Sequence, residues 1–354
     1  MKVQLIIEDK SGSTATTETA TLERGESDEL IGLSLEEAKA ITGSVQRTLL
    51  EAQAREAIDR GSTCTQCKAR LRGNGAHRVI YRTAFGRLTL ASPRFYLCRC
   101  QMRGRQSVSP LAIWLHGHMS PELQYLEAQF AAQLSYGMSA RILGSVLPLQ
   151  QATSITTWKR HVARVGGRLD EEAHQRPASH PVLNEFGLPT RNPLRAVGID
   201  GGYVKASDAP SRQEGWFEVM VGKSLPRAGS GQVFAFVHRL EPKPNARMER
   251  FRAEQGVFPA QSTTFLSDGG ETLRQAQGEF REFGEPIATG FVESAVNQVV
   301  SKRLVKKQQM RWTPNGAHRL LQVRTRVLNQ QLRADFERWH PELRSTAERS
   351  RMPA

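Results

Sequence analysis

The sequence predicts a multidomain α+β protein, and three observations carry that reading. Two cysteine pairs, Cys64-x-x-Cys67 and Cys98-x-Cys100, flank alternating runs that turn at Gly86. Residues 119–170 repeat apolar positions at helical spacing. From Leu194 onward, short apolar runs of strand length lead to Asp200-Gly201-Gly202 and Asp268-Gly269-Gly270, and a helix with almost only basic charge follows. A chain of 354 residues has room for two or three domains.

Residues 1–60 form an acidic segment, with 7 Lys/Arg against 12 Asp/Glu. Val3–Ile7 has strand character, and the Ser/Thr-rich residues 11–21 read as loop. Ser34-Leu35-Glu36-Glu37 is a capping box, in which the hydroxyl and the carboxylate three residues on, in the first turn, satisfy each other's backbone N–H groups. It opens a helix to about Asp59, with Leu35, Ala38, Ile41, Val45, Leu49 and Ala52 expected on one packing or self-association face.

Residues 61–115 form a zinc-ribbon-like module. The spacing within each cysteine pair lets both thiolates reach one tetrahedral ion, so Cys64, Cys67, Cys98 and Cys100 are expected to hold one structural Zn²⁺. Four reduced thiols without metal are the other reading, and His77 is a second possible ligand. His77–Thr83 and Gly86–Leu90 predict the hairpin between the pairs.

Residues 119–172 read as three helices. Pro121 suits a first turn, Pro148 ends the second helix, and the third runs from about Ser154 to Leu169. Short turns and a basic third helix suggest a helix-turn-helix, with Arg160 and Arg164 four apart on a DNA-facing side; a plain structural bundle fits the same pattern. Four prolines within 175–193 mark 173–192 as a linker.

Residues 193–335 are the candidate catalytic domain, and 336–354 a tail. Leu194–Ile199, Trp216–Lys223, Val233–Val237 and Thr264–Leu266 are four predicted strands, with a helix near Arg247–Glu254. Asp200 and Asp268 follow the first and last strand, and Glu293 opens the basic helix. Three carboxylates are the hard oxygen donors that Mg²⁺ requires, and such a set suits phosphoryl transfer. From Ser294 to Arg333 there are nine Lys/Arg and no Asp/Glu. One-sign charge beside the acids suits a DNA backbone, with Lys302, Arg303, Lys306, Lys307 and Arg311 as contacts.

The segment Gly290-Phe291-Val292-Glu293-Ser294-Ala295-Val296-Asn297-Gln298 and the basic stretch Lys302–Trp312 resemble insertion-sequence transposases of the ISKra family. Gly316-Ala317-His318, Leu320–Thr325, the two Asp motifs and the cysteine region extend the likeness over roughly residues 60–330. The resemblance implies a DDE-type catalytic domain on the RNase H fold, with Asp200, Asp268 and Glu293 as Mg²⁺ ligands. It also implies binding of element terminal repeats and target duplex DNA, as a homo-oligomer, followed by cleavage and strand transfer. One departure stands out. Only 24 residues separate Asp268 from Glu293, where relatives carry a further strand and a helical insertion. The domain therefore looks truncated, through an internal deletion near residues 274–285 or as a natural short-loop variant. The reading is a transposase, intact or decayed, and the alternative is a non-catalytic DNA-binding protein or repressor derived from a transposase.

Net charge is +14 overall; the first sixty residues carry −5, leaving +19 on the body, which points to a polyanionic partner. No run of 18 apolar residues occurs, so no membrane span is expected. Met1–Asp9 is too short and too soon acidic for a signal peptide. A bacterial cytoplasmic, nucleoid-associated protein is the expectation, where four cysteines read as metal ligands or free thiols before disulfides.

Overall fold

A computed structural model describes residues 2–8, 14–21, 31–100, 106–115, 117–149, 154–175, 193–207, 215–257, 261, 263–267, 290–305 and 310–344. The chain is mixed α+β and divides into two compact units, residues 1–124 with 137–153, and residues 125–136 with 154–354.

In the first unit, β1 (Lys2–Glu8) and β2 (Thr14–Thr21) form an antiparallel pair. The second strand occupies the stretch expected to be loop. Its β-branched threonines, at alternate and adjacent positions, favour extended backbone over the turn that Ser/Thr content suggested. Helix α1 (Leu35–Gly61) begins at the expected capping box: the Glu37 N–H donates to Ser34 Oγ at 3.2 Å, and the Ser34 N–H to Glu37 Oε2 at 2.8 Å. Its buried face differs from the expected one. Leu50, Ala54 and Ala57 are buried, while Leu35 and Leu49 are exposed. Apolar residues are spread round this helix, so spacing alone did not select a face; the smaller residues allow the closer approach to a sheet.

That sheet is the hairpin of β3 (Gly73–Thr83) and β4 (Gly86–Tyr96), with the two-residue β5 (Ser107–Val108) on its edge. Gly86 has φ +129°, a backbone state that glycine adopts without strain, and it closes the turn where the hairpin was predicted. Val79, Tyr81, Leu88 and Leu90 pack on α1 and on Leu111 of α2 (Pro110–Trp114).

The helices expected as one bundle are α3 (Pro121–Gln133), α4 (Tyr136–Val146) and α5 (Ile155–Gln175). Most of α3 and all of α5 belong to the second unit, whereas Gly137 onward of α4 belongs to the first. Residues 119–172 therefore do not close on themselves as a separate module. α5 also extends past the expected linker boundary, to Gln175.

The second unit is built on a four-stranded sheet of β6 (Leu194–Lys205), β7 (Trp216–Pro226), β8 (Val233–Val237) and β9 (Thr264–Leu266), in spatial order β8-β7-β6-β9. β6, β7 and β8 are antiparallel neighbours, and β9 runs parallel to β6. Val197, Ile199, Met220, Phe234 and Phe236 pack on Met248 and Phe251 of α6 (Pro244–Glu254). The basic helix begins as α7 (Gly290–Val296), continues through a π-helical turn, Asn297–Ser301, and ends in a last α turn, Lys302–Leu304. α8 (Pro314–Leu328) lies on β8 and α5. The short α9 (Leu332–Trp339) spans the boundary drawn at 335, and its Phe336 is fully buried, so the tail begins later than expected.

Candidate functional site

The four cysteine sulfurs come together in the first unit. Cys64 Sγ lies 3.4 Å from Cys100 Sγ, Cys67 Sγ lies 3.5 Å from Cys98 Sγ, and all four lie within 4.8 Å of one another. A tetrahedral ion with metal–sulfur bonds of about 2.3 Å has sulfur–sulfur edges of about 3.8 Å. The cluster fits a structural metal such as zinc on that measure. The first pair sits in a tight turn: Lys68 has φ +61°, and its N–H donates to Cys64 O at 3.0 Å. The Cys67 N–H aimed at its sulfur is the main reason Cys64 is lowered to about 6. Cys98 is lowered by the N–H of Cys100, whereas Cys100, hydrogen-bonded to the Cys64 sulfur, is pushed up to about 12. His77 is an exposed strand residue outside this set.

The carboxylate site is only partly described. Asp200 lies inside β6, not at its end, because the strand continues through Gly201 and Gly202 to Lys205. Its Oδ1 accepts the Gly201 N–H at 2.7 Å. Strand alternation places Asp200 on the same sheet face as Gly202. Gly202 is where the Glu293 helix docks: an added Cβ would stand 3.1 Å from Val296 and 3.6 Å from Val300. Val292, Ala295, Val299 and Val300 form the buried side of that helix, and Glu293 is exposed in its first turn. Gly198 pairs with Leu266 across the parallel ladder. In sequence, Asp200 and Asp268 each follow two residues after these partners. Asp268 lies outside the described residues, as do Lys306 and Lys307.

The expected DNA contacts separate into two kinds. Arg160, Arg164, Lys302 and Arg311 are exposed. Arg303 is not a surface contact. It is 2% exposed, donates through Nε to Ala131 O at 2.8 Å, and lies over the rings of Tyr136 and Trp312 at 5.1 and 5.2 Å. One turn before it lie the buried Val299 and Val300, so regular α spacing already puts Arg303 on the buried stripe, and it was the run of basic residues that suggested a surface. Sequence reasoning also passed over Arg324. Its guanidinium donates to the carbonyls of Val299, Gln298 and Ala132, two of which belong to the π-helical turn. Burial lowers it to about 10.

His318 is likewise buried, away from any substrate-facing role. Its Nδ1 accepts the Val237 N–H at 3.2 Å, and its Nε2 lies 3.1 Å from Asp170 Oδ1. Arg247 joins Asp170 to Glu241, and His174 Nε2 lies 2.9 Å from Glu241 Oε1. Burial alone would raise Asp170; His318 and Arg247 overcome it and hold it at about 2. Asp170, His174 and Glu241 approach one another closely enough for a cation, but the Arg247 guanidinium already occupies that charge role.

Comparison with known family models and with curated proteins finds no match for this chain. No helix among the described residues is long and apolar enough to cross a membrane.

Proposed function

We propose that the chain is an insertion-sequence transposase in architecture, binding duplex DNA at element ends through exposed cations, with a carboxylate site at Asp200, Asp268 and Glu293. The observation that carries this reading is the docking of the Glu293 helix over Gly202, on the sheet face that Asp200 shares. Two antiparallel hairpin connections, a helix and then a strand parallel to the first fit the order expected of an RNase H-like domain. Exposed Arg160, Arg164, Lys302 and Arg311, with Lys306 and Lys307 between them in sequence, supply phosphate contacts. The cysteine cluster is assigned a structural Zn²⁺ in a ribbon-like module.

Mg²⁺ bound at such a site would neutralise charge on the scissile phosphate and activate water. Asp200 is fixed by its hydrogen bond to the Gly201 N–H, and Glu293 is carried on a helix anchored by Arg324. Catalysis demands ligands held to within about 0.5 Å. The interval between Asp268 and Glu293, 24 residues, is shorter than the one that supports that helix in the transposases this chain resembles. We therefore assign DNA binding as the surviving activity of a decayed copy, acting as a homo-oligomer on the nucleoid. The second reading is a repressor that occupies element ends without cutting them.

Purified full-length protein, Mg²⁺ and duplex DNA carrying the inverted repeats that flank the coding sequence test both. The expected result is a stable complex with little or no strand transfer, retained by Asp200→Ala. Robust cleavage and joining, abolished by Glu293→Gln, would restore an active enzyme. Failure to bind duplex DNA would reject both readings.

A further inference from the structure

One cleft in the sheet-bearing unit belongs to neither the carboxylates nor the cysteines. It has a volume of about 440 Å³ and lies between α5 and the first turns of α8. Lys159, Arg160, Arg311 and Arg319 surround it, all exposed, and no Asp or Glu lines it. Several other arginines of this unit are matched: Arg168 with Glu172, Arg326 with Asp335, Arg333 with Glu337 and Arg338 with Asp335. Among the described residues, none of the four cleft cations has a carboxylate within ion-pair distance. Like charges gathered without counter-ions are held against mutual repulsion, and a bound polyanion relieves it.

The fold forces this gathering. Gly166 of α5 meets the Arg319 backbone so closely that an added Cβ would stand 2.1 Å from the Arg319 carbonyl oxygen. The bare glycine lets α5 and α8 touch, which brings Lys159 and Arg160 beside Arg319. Trp312 is pinned at the cleft edge: its N–H donates to Lys205 O at 2.9 Å, its O accepts the Ser207 N–H at 3.0 Å, and its indole N–H donates to Leu304 O at 3.0 Å. Val162, Ala163 and Leu320 line the same cleft, so an apolar wall faces a cationic rim.

We infer that this cleft takes an unpaired nucleotide of a DNA strand, its phosphate on Lys159, Arg160 and Arg319 and its base and sugar on the apolar wall. A duplex does not enter a space of this size, whereas pockets of about 300–1,000 Å³ hold single small ligands. Cationic grooves with apolar and aromatic surfaces are the means by which single strands are bound without sequence preference. Trp312 bridges Ala206, the residue after the strand that carries Asp200, so the cleft edge adjoins the C-terminal end of that strand. The inference rests on the DNA-acting reading above, but it does not require cleavage.

The test uses the full chain without added Mg²⁺, a short fluorescein-labelled oligothymidylate, and the same measurement on duplex DNA. Lys159→Ala/Arg319→Ala removes charge from the cleft without touching Arg164, Lys302 or the carboxylates. Thr156→Trp, at an exposed position lining the cleft, fills it without removing charge. Both should leave the thermal midpoint and duplex binding near wild type and weaken oligothymidylate binding about 10-fold or more. The charge variant should also lower the salt slope, by up to about 0.7 for the one phosphate held there. Thymidine monophosphate should compete in the wild type if a free nucleotide suffices; competition only by the oligomer assigns the cleft to a strand. Unchanged oligothymidylate binding in both variants, or an equal loss for duplex and single strand, would overturn the inference. Single-strand binding lost in the variants while wild type shows no duplex binding would reject the transposase reading and leave this one standing.

Discussion

Arg303 and Arg324 show how differently two buried arginines can be placed. Arg324 satisfies three carbonyls, so Arg324→Met would strand them, and each buried unsatisfied group costs about 1–3 kcal/mol. A loss of about 3 kcal/mol or more in urea unfolding is expected. Arg303 has one carbonyl partner and two aromatic rings, with its terminal nitrogens buried and unpartnered among the described residues. Removing a poorly satisfied buried cation in favour of an apolar chain is often neutral or stabilising. Arg303→Met should therefore change stability by about 1 kcal/mol or less, and should leave the salt dependence of DNA binding intact, as a surface contact would not. Asp170 has a pH signature. Its folded value, about 2, is below its ordinary 3.8, so its stabilisation is present above pH 4 and lost as pH falls through 2. The shift corresponds to about 2 kcal/mol. Asp170→Asn should lose that stability at pH 6 and approach wild type near pH 2; a gap that is the same at both pH values would contradict it.

At the scale of elements, the sharpest constraint is the crossing of α5 and α8. Gly166→Ala places a methyl group against backbone that has no rotamer to move, and overpacking costs about 1–3 kcal/mol or more. A thermal midpoint unchanged by that substitution would mean the helices are farther apart than described. The cysteine module gives a second prediction. One Zn²⁺ per chain should be found by metal analysis, and Cys64→Ser or chelation should lower the melting temperature. Metal-free protein with an unaltered transition would contradict it. Much at this scale was legible in sequence. Ser34 and Glu37 fixed the start of α1 because a capping box is local chemistry, and Val233–Val237 and Thr264–Leu266 appear at the expected bounds because continuous apolar runs are read without tertiary context. What failed depended on neighbours. The buried face of α1 is chosen by its sheet, and Arg303 is buried beside Val299 by the carbonyl and rings packed on it, where a run of basic residues suggested a surface.

For the whole molecule, the sequence announced mixed α+β layers and the cysteine cluster, but not the division of the chain. Contacts separate α4 from the larger parts of α3 and α5, because the partition follows cores formed by distant segments rather than runs of similar periodicity. The candidate site was legible in part: Asp200 and Glu293 fall on adjoining elements, while the importance of Arg324, Lys159 and Arg319 emerged only once α5, α7 and α8 were packed. The +19 charge beyond residue 60 belongs to the same scale, and it makes the central claim measurable. The most direct measurement is the affinity of the full-length protein, and of its Asp200→Ala variant, for duplex DNA as salt rises. Both should bind, with log affinity falling against log salt at about 0.9 per phosphate contacted, over several contacts. Absence of duplex binding at low salt, or binding indifferent to salt, would contradict it.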